Sequence, residues 1–457
     1  MTEMSLTIEL DTEPIQRRDR SEPRYESYPT ALQFRSGFDS AAYRRAALLS
    51  NAQLGPLSVY IRVPSRGGPC LREGNRAIRN DADQECRYVA ALKREIDLQA
   101  PLFRTNRRVE QVRIGGDAPV FLGLSQLEAL MRHLRGRFSL IDAQPHEYSI
   151  DIDPLTVPAG AIGELARLGF NCISLGMPDF QPAGETTDKL AQWITQTFQV
   201  VEAARRGGIG SIRFDIVCGT PRQTPDDFSQ ILATVLEARP GVVAVHDRAY
   251  AMALVRPQGQ AGDAQLAADA QRLNLLQRSV ATLIAAGYLR IGTDHFALPD
   301  DPLALACHRT FHGYCPLPAG DVIGLGVGAI AKVGAAYAQN LDRIHDYCAA
   351  VENHELAVER GLQMDSDDRI RHEVIQQLMC HGIVHSARIE SHHCIDFSQY
   401  FALELARLQP MVAAGLLTQT DEGIALSDSG QLLAPGIAMT FDAYLRDPQA
   451  SALSAAP

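Results

Sequence analysis

The chain has 457 residues, 46% of them hydrophobic and 21% charged, with a formal net charge of -11. That length suits a globular protein of two domains or more. The acidic balance argues against nucleic acid as the main partner, since neutralising phosphates takes clustered Lys and Arg, and no apolar run reaches the roughly 20 residues of a membrane span.

Met1 to Arg20 carries charges throughout and has no apolar stretch, so it does not read as a secretory leader, and a cytoplasmic location is expected. Nine scattered cysteines, an odd number in a large chain, read as reduced thiols. Residues 1–23 are polar and are expected to form a loose, disordered tail. From Ser58 to Ala297, short apolar strands alternate with helical patterns. The strands are predicted at Ser58–Val63, Gln111–Gly115, Glu147–Asp153, Cys172–Gly176, Ser211–Val217, Val242–His246 and Leu289–Asp294. The helices between them are predicted at Asp83–Ala100, Ser125–Arg137, Ala159–Arg167, Gln196–Arg206, Pro225–Glu237 and Ala264–Ala286. Regular β–α alternation predicts an α/β fold, a parallel sheet with outer helices. Beyond Leu341 the pattern turns mostly helical, with helices over Leu341–Asn353, Asp367–Cys380 and Tyr400–Ala414. A hairpin follows from Gly415, turning at Asp421-Glu422-Gly423, which gives a winged-helix-like ending. Between Asp365 and Asp447 the basic residues are five arginines and no lysine, too few for a DNA-binding reading of that shape. Residues 450–457 are expected to form a second tail.

A series of short motifs runs along this frame. They are Arg24-Tyr-Glu-Ser-Tyr-Pro-Thr-Ala31, Tyr60-Ile-Arg-Val-Pro64, Gly115-Gly-Asp-Ala-Pro119, Ser149-Ile-Asp-Ile-Asp-Pro154 and Ser174-Leu-Gly-Met-Pro-Asp-Phe180. Phe214-Asp-Ile-Val-Cys-Gly-Thr-Pro221, Asp294-His-Phe-Ala297, Phe311-His-Gly-Tyr314 and Gly324-Leu-Gly-Val-Gly-Ala-Ile330 complete it. In that order they resemble R-Y-x-S-Y-P-T-A, Y-x-H-I-P, G-G-G-T-P, S-I-E-x-D-P, S-x-G-V-Q-D-F, x-D-L-I-Y-G-L-P, D-H-F-A, F-Q-G-Y and G-x-G-V-S-A-I. The chain thus resembles, over nearly its whole length, the oxygen-independent coproporphyrinogen III oxidase (dehydrogenase) family of radical-SAM enzymes. The resemblance implies a partial (β/α)6-type barrel open on one side, with the site at the C-terminal strand ends. It implies a segment 24–57 packing on the barrel, a barrel with its extension over 58–340, and a helical C-terminal lid over 341–449. It implies a [4Fe–4S] cluster that cleaves S-adenosylmethionine, and a radical that turns propionates of a porphyrinogen into vinyl groups.

The departures cluster where that chemistry would take place. The family's C-x-x-x-C-x-x-C cluster motif reads Arg66-x-x-x-Cys70-x-x-Glu73 here. Fe–S irons are held by thiolates, and a guanidinium has no lone pair to offer. Asp117 and Ala118 replace Gly and Thr of G-G-G-T-P, and Pro178 replaces the glutamine of V-Q-D-F. The following arginine has no counterpart in Thr186 to Trp193. Asp151 stands for the glutamate that contacts ribose in the family, one methylene shorter. Tyr60, Gly115, Gly116, Asp215 and Ala249 match, and with Asp151 they are the positions the resemblance assigns to cofactor binding.

Each of these has a plainer reading. Cys70 is either a remnant cluster ligand or an ordinary loop thiol. Gly115 and Gly116 either admit a ligand carboxylate to the backbone or make a tight turn. Asp151 and Asp215 either bind ribose or a cationic group, or form a hydrogen-bonded pair at the barrel rim. Two stretches are dense in soft ligands, Cys307-His308-x-x-x-His312-x-x-Cys315 and Cys380-His381-x-x-x-His385 with His392-His393-Cys394. Neither spacing is a standard zinc motif, and the resemblance keeps a histidine at His308 without a metal. The loop arginines Arg66, Arg72 and Arg76, with Asp294-His295, suit the propionates of a tetrapyrrole.

The leading expectation is a non-catalytic relative that uses no cofactor and binds a porphyrin, haem or nucleoside-like ligand, or a protein partner. The alternatives are an active coproporphyrinogen dehydrogenase with an unusual cluster, and a barrel enzyme doing cofactor-free chemistry around Asp151 and Asp215.

Overall fold

The computed structural model describes residues 27–53, 55–64, 82–116, 122–176, 186–218, 225–247, 275–318 and 320–445. Apolar runs with alternating burial make the first strands: β1 (Leu57–Arg62), β2 (Arg108–Gly115), the short β3 (Ser139–Leu140), β4 (Glu147–Ile152), β5 (Cys172–Gly176), β6 (Ser211–Cys218) and β7 (Val242–Asp247). Strands β1, β2, β4, β5, β6 and β7 pair side by side, all parallel. Each is followed by a helix: Ala82–Gln99, Leu124–Arg137, Ala159–Arg167, Thr186–Arg206, Pro225–Ala238 and residues 275–285. This is the expected (β/α)6 arrangement. The main core lies between sheet and helices, where Val112, Ile150, Ile173 and Phe214 meet Leu130, Ile162, Val200 and Leu232.

Three stretches differ from the sequence reading. Leu289–Asp294, expected as one more parallel strand, is the first half of a hairpin. There β8 (Leu289–Ile291) turns through Gly292, at φ +56°, into β9 (His295–Ala297), which pairs antiparallel with β7. The turn requires glycine, because a Cβ at 292 would overlap the Tyr314 hydroxyl. After a small hairpin, β10 (His308–Thr310) and β11 (Gly313–Cys315), the chain extends the sheet on its other side. Here β12 (Asp321–Leu325) lies parallel to β1, followed antiparallel by β13 (Ile330–Val333), β14 (Ala336–Asn340) and β15 (Val358–Gln363). Thus β15 interrupts the helical pattern expected beyond Leu341. The helix Thr186–Arg206 begins ten residues before the expected Gln196, and it buries Trp193 completely.

The C-terminal part has its own core. Its helix Ser366–His381 starts at a capping box between Asp365 and Asp368 and stops at Gly382, which is left-handed at φ +67°. The strand β16 (Ile383–His385) and the hairpin β17 (Leu417–Thr420) and β18 (Gly423–Leu426) form a three-stranded wing in the order β16–β18–β17. The expected winged shape is present, with one strand more than the pattern indicated. Val374, Leu378, Phe401, Leu408 and Phe441 fill this core, and Tyr28 joins them, fully buried, with its hydroxyl donating to Asp368 Oδ1 at 2.8 Å. No helix among the described residues is long and apolar enough to cross a membrane.

Candidate functional site

Strand parity builds the site. Alternate residues of a strand face opposite sides of the sheet. One parity, Val112, Ile114, Ile150, Ile152, Ile173, Leu175, Phe214 and Ile216, enters the core under the helices. The other is polar: Gln111 and Arg113, then Glu147, Ser149 and Asp151, then Ser174, then Arg213 and Asp215, then His246. This face lines the barrel interior.

The β10–β11 hairpin plugs that interior. Its His312 stacks on Tyr60, with ring centroids 3.6 Å apart and planes 14° from parallel. Burial drives the His312 pKa down to about 3, so the ring is neutral and Nε2 donates to the Ile330 carbonyl at 2.9 Å. Arg113 Nη1 donates to the His312 carbonyl at 2.7 Å, and its Nη2 lies 3.5 Å from Asp151 Oδ1. The Asp151 carboxylate keeps the Arg113 pKa high. Asp151 itself is pushed up, because burial outweighs the nearby guanidinium. A Cβ at Gly115 would overlap Asp151 Oδ2, and one at Gly116 would overlap the Val63 carbonyl. Close packing alone therefore accounts for glycine at both positions.

Next to this pair lies a chain of acids and imidazoles at the ends of β6, β7 and β9. Ser174 Oγ donates to Asp215 Oδ2 at 2.5 Å. His246 lies between two carboxylates, with Nε2 3.3 Å from Asp215 and Nδ1 3.5 Å from Asp294. An imidazolium can donate to both at once. Asp294 also meets His295 Nδ1 at 2.8 Å. Burial raises the Asp215 carboxyl, but the His246 contact and charge, Ser174 and Arg113 outweigh it and hold that carboxyl well below the usual range. Burial lowers the His295 pKa against the pull of Asp294. Two carboxylates of one barrel are thus pushed in opposite directions, Asp151 up and Asp215 down. Such a pair can hold a proton at one position and a fixed negative charge at the other.

Of the residues singled out in the sequence, Tyr60, Gly115, Gly116, Asp151 and Asp215 come together here. Cys70, Ala249, Arg66, Arg72, Glu73, Arg76, Asp117, Ala118 and Pro178 lie outside the described residues. Arg113 and His246 were not singled out. Their signal is a charged or titratable residue on the polar parity of an otherwise apolar strand. In the C-terminal part, His392 and His393 both pair with Glu373, at 3.0 Å each. Among the described residues no group of three or more His, Cys, Asp or Glu is placed to hold a metal ion.

Residues 364–433 match the HemN C-terminal domain model. The chain is 39% identical over 445 residues to the oxygen-independent coproporphyrinogen III oxidase of Pseudomonas aeruginosa, covering 96% of this chain and 97% of that relative. The chain belongs to the oxygen-independent coproporphyrinogen III oxidase family. The Synechocystis member is 33% identical and covers 98% of each chain. The solved structure of coproporphyrinogen III oxidase (HemN) from Escherichia coli, described as a radical SAM enzyme, superposes with a TM-score of 0.82 at 32% identity. That likeness covers 95% of this chain and 99% of that one. The family fold is therefore the fold of this chain, a mixed α/β parallel sheet with a helical C-terminal part.

Proposed function

We propose that this family member binds a tetrapyrrole carrying propionates, a porphyrin or haem, and does not generate a radical. The observation that carries the reading is the donor set at the cluster positions. One thiol, one carboxylate and one guanidinium, from Cys70, Glu73 and Arg66, do not fit a [4Fe–4S] cluster. The barrel interior supports the same reading. Asp151, at the family's ribose position, is engaged by Arg113, Asp215 is taken up by Ser174 and His246, and one face of Tyr60 is covered by His312. Arg66, Arg72 and Arg76 would meet propionates, because the guanidinium fork matches a carboxylate. In this reading Tyr60, Gly115, Gly116, Asp151, Asp215 and Ala249 face the ligand, Cys70 is a remnant thiol, and 341–449 is a lid.

The second reading, an active dehydrogenase with an atypical cluster, is favoured by the near full-length likeness to the family's oxidases. Iron and acid-labile sulfide analysis after anaerobic reconstitution separates the two. We expect neither in stoichiometric amount. About four irons and four sulfides per chain, lost in Cys70→Ser, would overturn our reading. Ligand binding is read from the Soret band of coproporphyrin or haem on titration. We expect a shift that the triple Arg66, Arg72 and Arg76 to Ala variant loses, and equal binding by that variant would remove the arginines from the account.

A further inference from the structure

One strand of the sheet extension carries a charge among apolar neighbours: β13 reads Ile330-Ala-Lys-Val333. Lys332 pairs with Val322 of β12 and Tyr337 of β14, so its side chain shares a sheet face with theirs. Two distant parts of the chain meet it there. His372, on the helix Ser366–His381, has Nε2 3.0 Å from Lys332 Nζ, and its Nδ1 lies 2.7 Å from the Tyr28 carbonyl. A carbonyl only accepts, so Nδ1 carries the ring proton and Nε2 turns its lone pair toward Nζ. Lys332 Nζ is therefore the donor in that bond. The Tyr337 ring lies 6.0 Å from Nζ. Asp321, the carboxylate whose charge reaches Lys332, is taken up by Arg107 Nη1 at 2.7 Å and by the Gly334 amide at 2.6 Å. Among the described residues no carboxylate pairs with Nζ.

We infer that Lys332 is an acylation site, its amine oriented by His372 and open to small acyl donors of the acyl phosphate class. A lysine withdrawn from water without an acid partner favours its uncharged form, and only that form has a lone pair to attack with. Removal from water pushes the Lys332 amine from 10.5 down to about 8, against the pull of Asp321. It drives His372 down to about 3, so that ring stays a neutral acceptor. Lys332 and His372 are each half-buried, and a small donor reaches Nζ from solvent. The Nζ lone pair attacks the acyl carbon of acetyl phosphate, the carbon–oxygen bond to phosphate breaks, and the phosphate leaves with the proton that the nitrogen loses. An amide C–N bond replaces one N–H, and no oxidant or reductant is needed. The geometry also selects the class of electrophile. An amide keeps one N–H on Nζ to donate to Nε2 and brings no charge into the joint. A neutral imine, formed with an aldehyde, has no N–H there and sets two lone pairs against each other, while a protonated one restores the charge. A carbamate, formed with carbon dioxide, would place a second negative charge near Asp321.

The test uses the full chain and acetyl phosphate, and the sequence supplies its own controls, since it holds three lysines, Lys93, Lys189 and Lys332. Initial acetylation rates at about pH 8 are read for each lysine by peptide mapping, in buffer and in urea. At that pH an ordinary lysine is less than about 1% uncharged, whereas an amine that titrates near 8 is about half uncharged. Partial burial offsets some of that advantage, so Lys332 in the folded chain should acetylate at least about tenfold faster than Lys93 and Lys189. In urea the three rates should converge. His372→Glu, which sets a carboxylate opposite Nζ and favours the ammonium, should bring the Lys332 rate down to that of Lys93. An unmodified Lys332, a rate equal to that of Lys93, or a preference that persists in urea would overturn the inference. So would an unchanged Lys332 rate in a folded His372→Glu chain. The map of the parent chain decides between these results even if the variant fails to fold.

Discussion

Glu95 gives the sharpest test of the barrel's electrostatics. It lies on the helix Ala82–Gln99 with no exposed surface, and its partners are donors. Gly326 N, at 2.7 Å, and Tyr347 Oη, at 2.6 Å, meet Oε2, while Asn340 Nδ2, at 2.7 Å, meets Oε1. These contacts tie the helix to the corner between β12 and β13. Burial still pushes the Glu95 carboxyl from 4.5 up to about 7, the hydrogen bonds offsetting only part of the cost. The folded state therefore holds this proton more tightly than the unfolded chain does. The stabilisation from that proton is fully present below about pH 4.5 and is lost as pH rises through about 7. The gap corresponds to about 3 kcal/mol. Glu95→Gln has no proton to lose there. Urea unfolding of parent and variant, from about pH 4.5 to pH 8, should show parent stability falling by about 3 kcal/mol relative to the variant. Parallel pH profiles would refute the burial argument.

Glu404→Ala should destabilise the C-terminal core by about 1–3 kcal/mol, since it removes the buried carboxylate that accepts from Arg371 Nη1 at 2.8 Å and leaves Asp367 as the acid partner of that guanidinium. Thermal unfolding reads this directly, and Glu404→Gln should lose less because its amide oxygen still accepts from Arg371. Tyr28→Phe should cost about 1–3 kcal/mol, the penalty for leaving Asp368 Oδ1 without its donor. A change within error would mean that the donors on the other Asp368 oxygen, Tyr444 Oη at 3.0 Å and the Asp365 amide at 3.3 Å, satisfy the carboxylate. Arg113→Ala removes the positive charge beside Asp151, so the Asp151 carboxyl should titrate at still higher pH, as read from side-chain carbon-13 shifts. An unchanged titration would show that the 3.5 Å pair carries no electrostatic weight.

The six β–α repeats were legible because each strand is a short apolar run between helical stretches, a pattern local in sequence. The turn at Asp421-Glu422-Gly423 was legible for the same reason, since Gly423 supplies the positive φ of +135° that the turn demands. Leu289–Asp294 was misread because Leu289-Arg-Ile291 alternates as a strand does, and the lone Gly292 after it does not declare itself a turn. The strands β12 to β14 were missed because they are short and mostly buried on both faces, so they lack alternation, and β15 because Val358-Glu-Arg-Gly-Leu-Gln363 is largely polar. The polar interior was legible in part. Asp151 and Asp215 stood out through the family motifs. Arg113 and His246 lie in no such motif, and their partners are fixed by strand neighbours far along the chain.

Tyr28 stands near the start of the described chain, yet it is built into a core made of residues beyond Ile370. Its bond to Asp368 spans 340 positions. During synthesis the amino-terminal strap leaves the ribosome long before the helices that will enclose it exist. The C-terminal core cannot close until the strap comes back to it, so it is completed last and depends on a segment made first. A separately expressed C-terminal fragment would carry an open slot where Tyr28 belongs. An amino-terminal fusion, or a protease cut just after Tyr28, would act at a distance on the other end of the molecule.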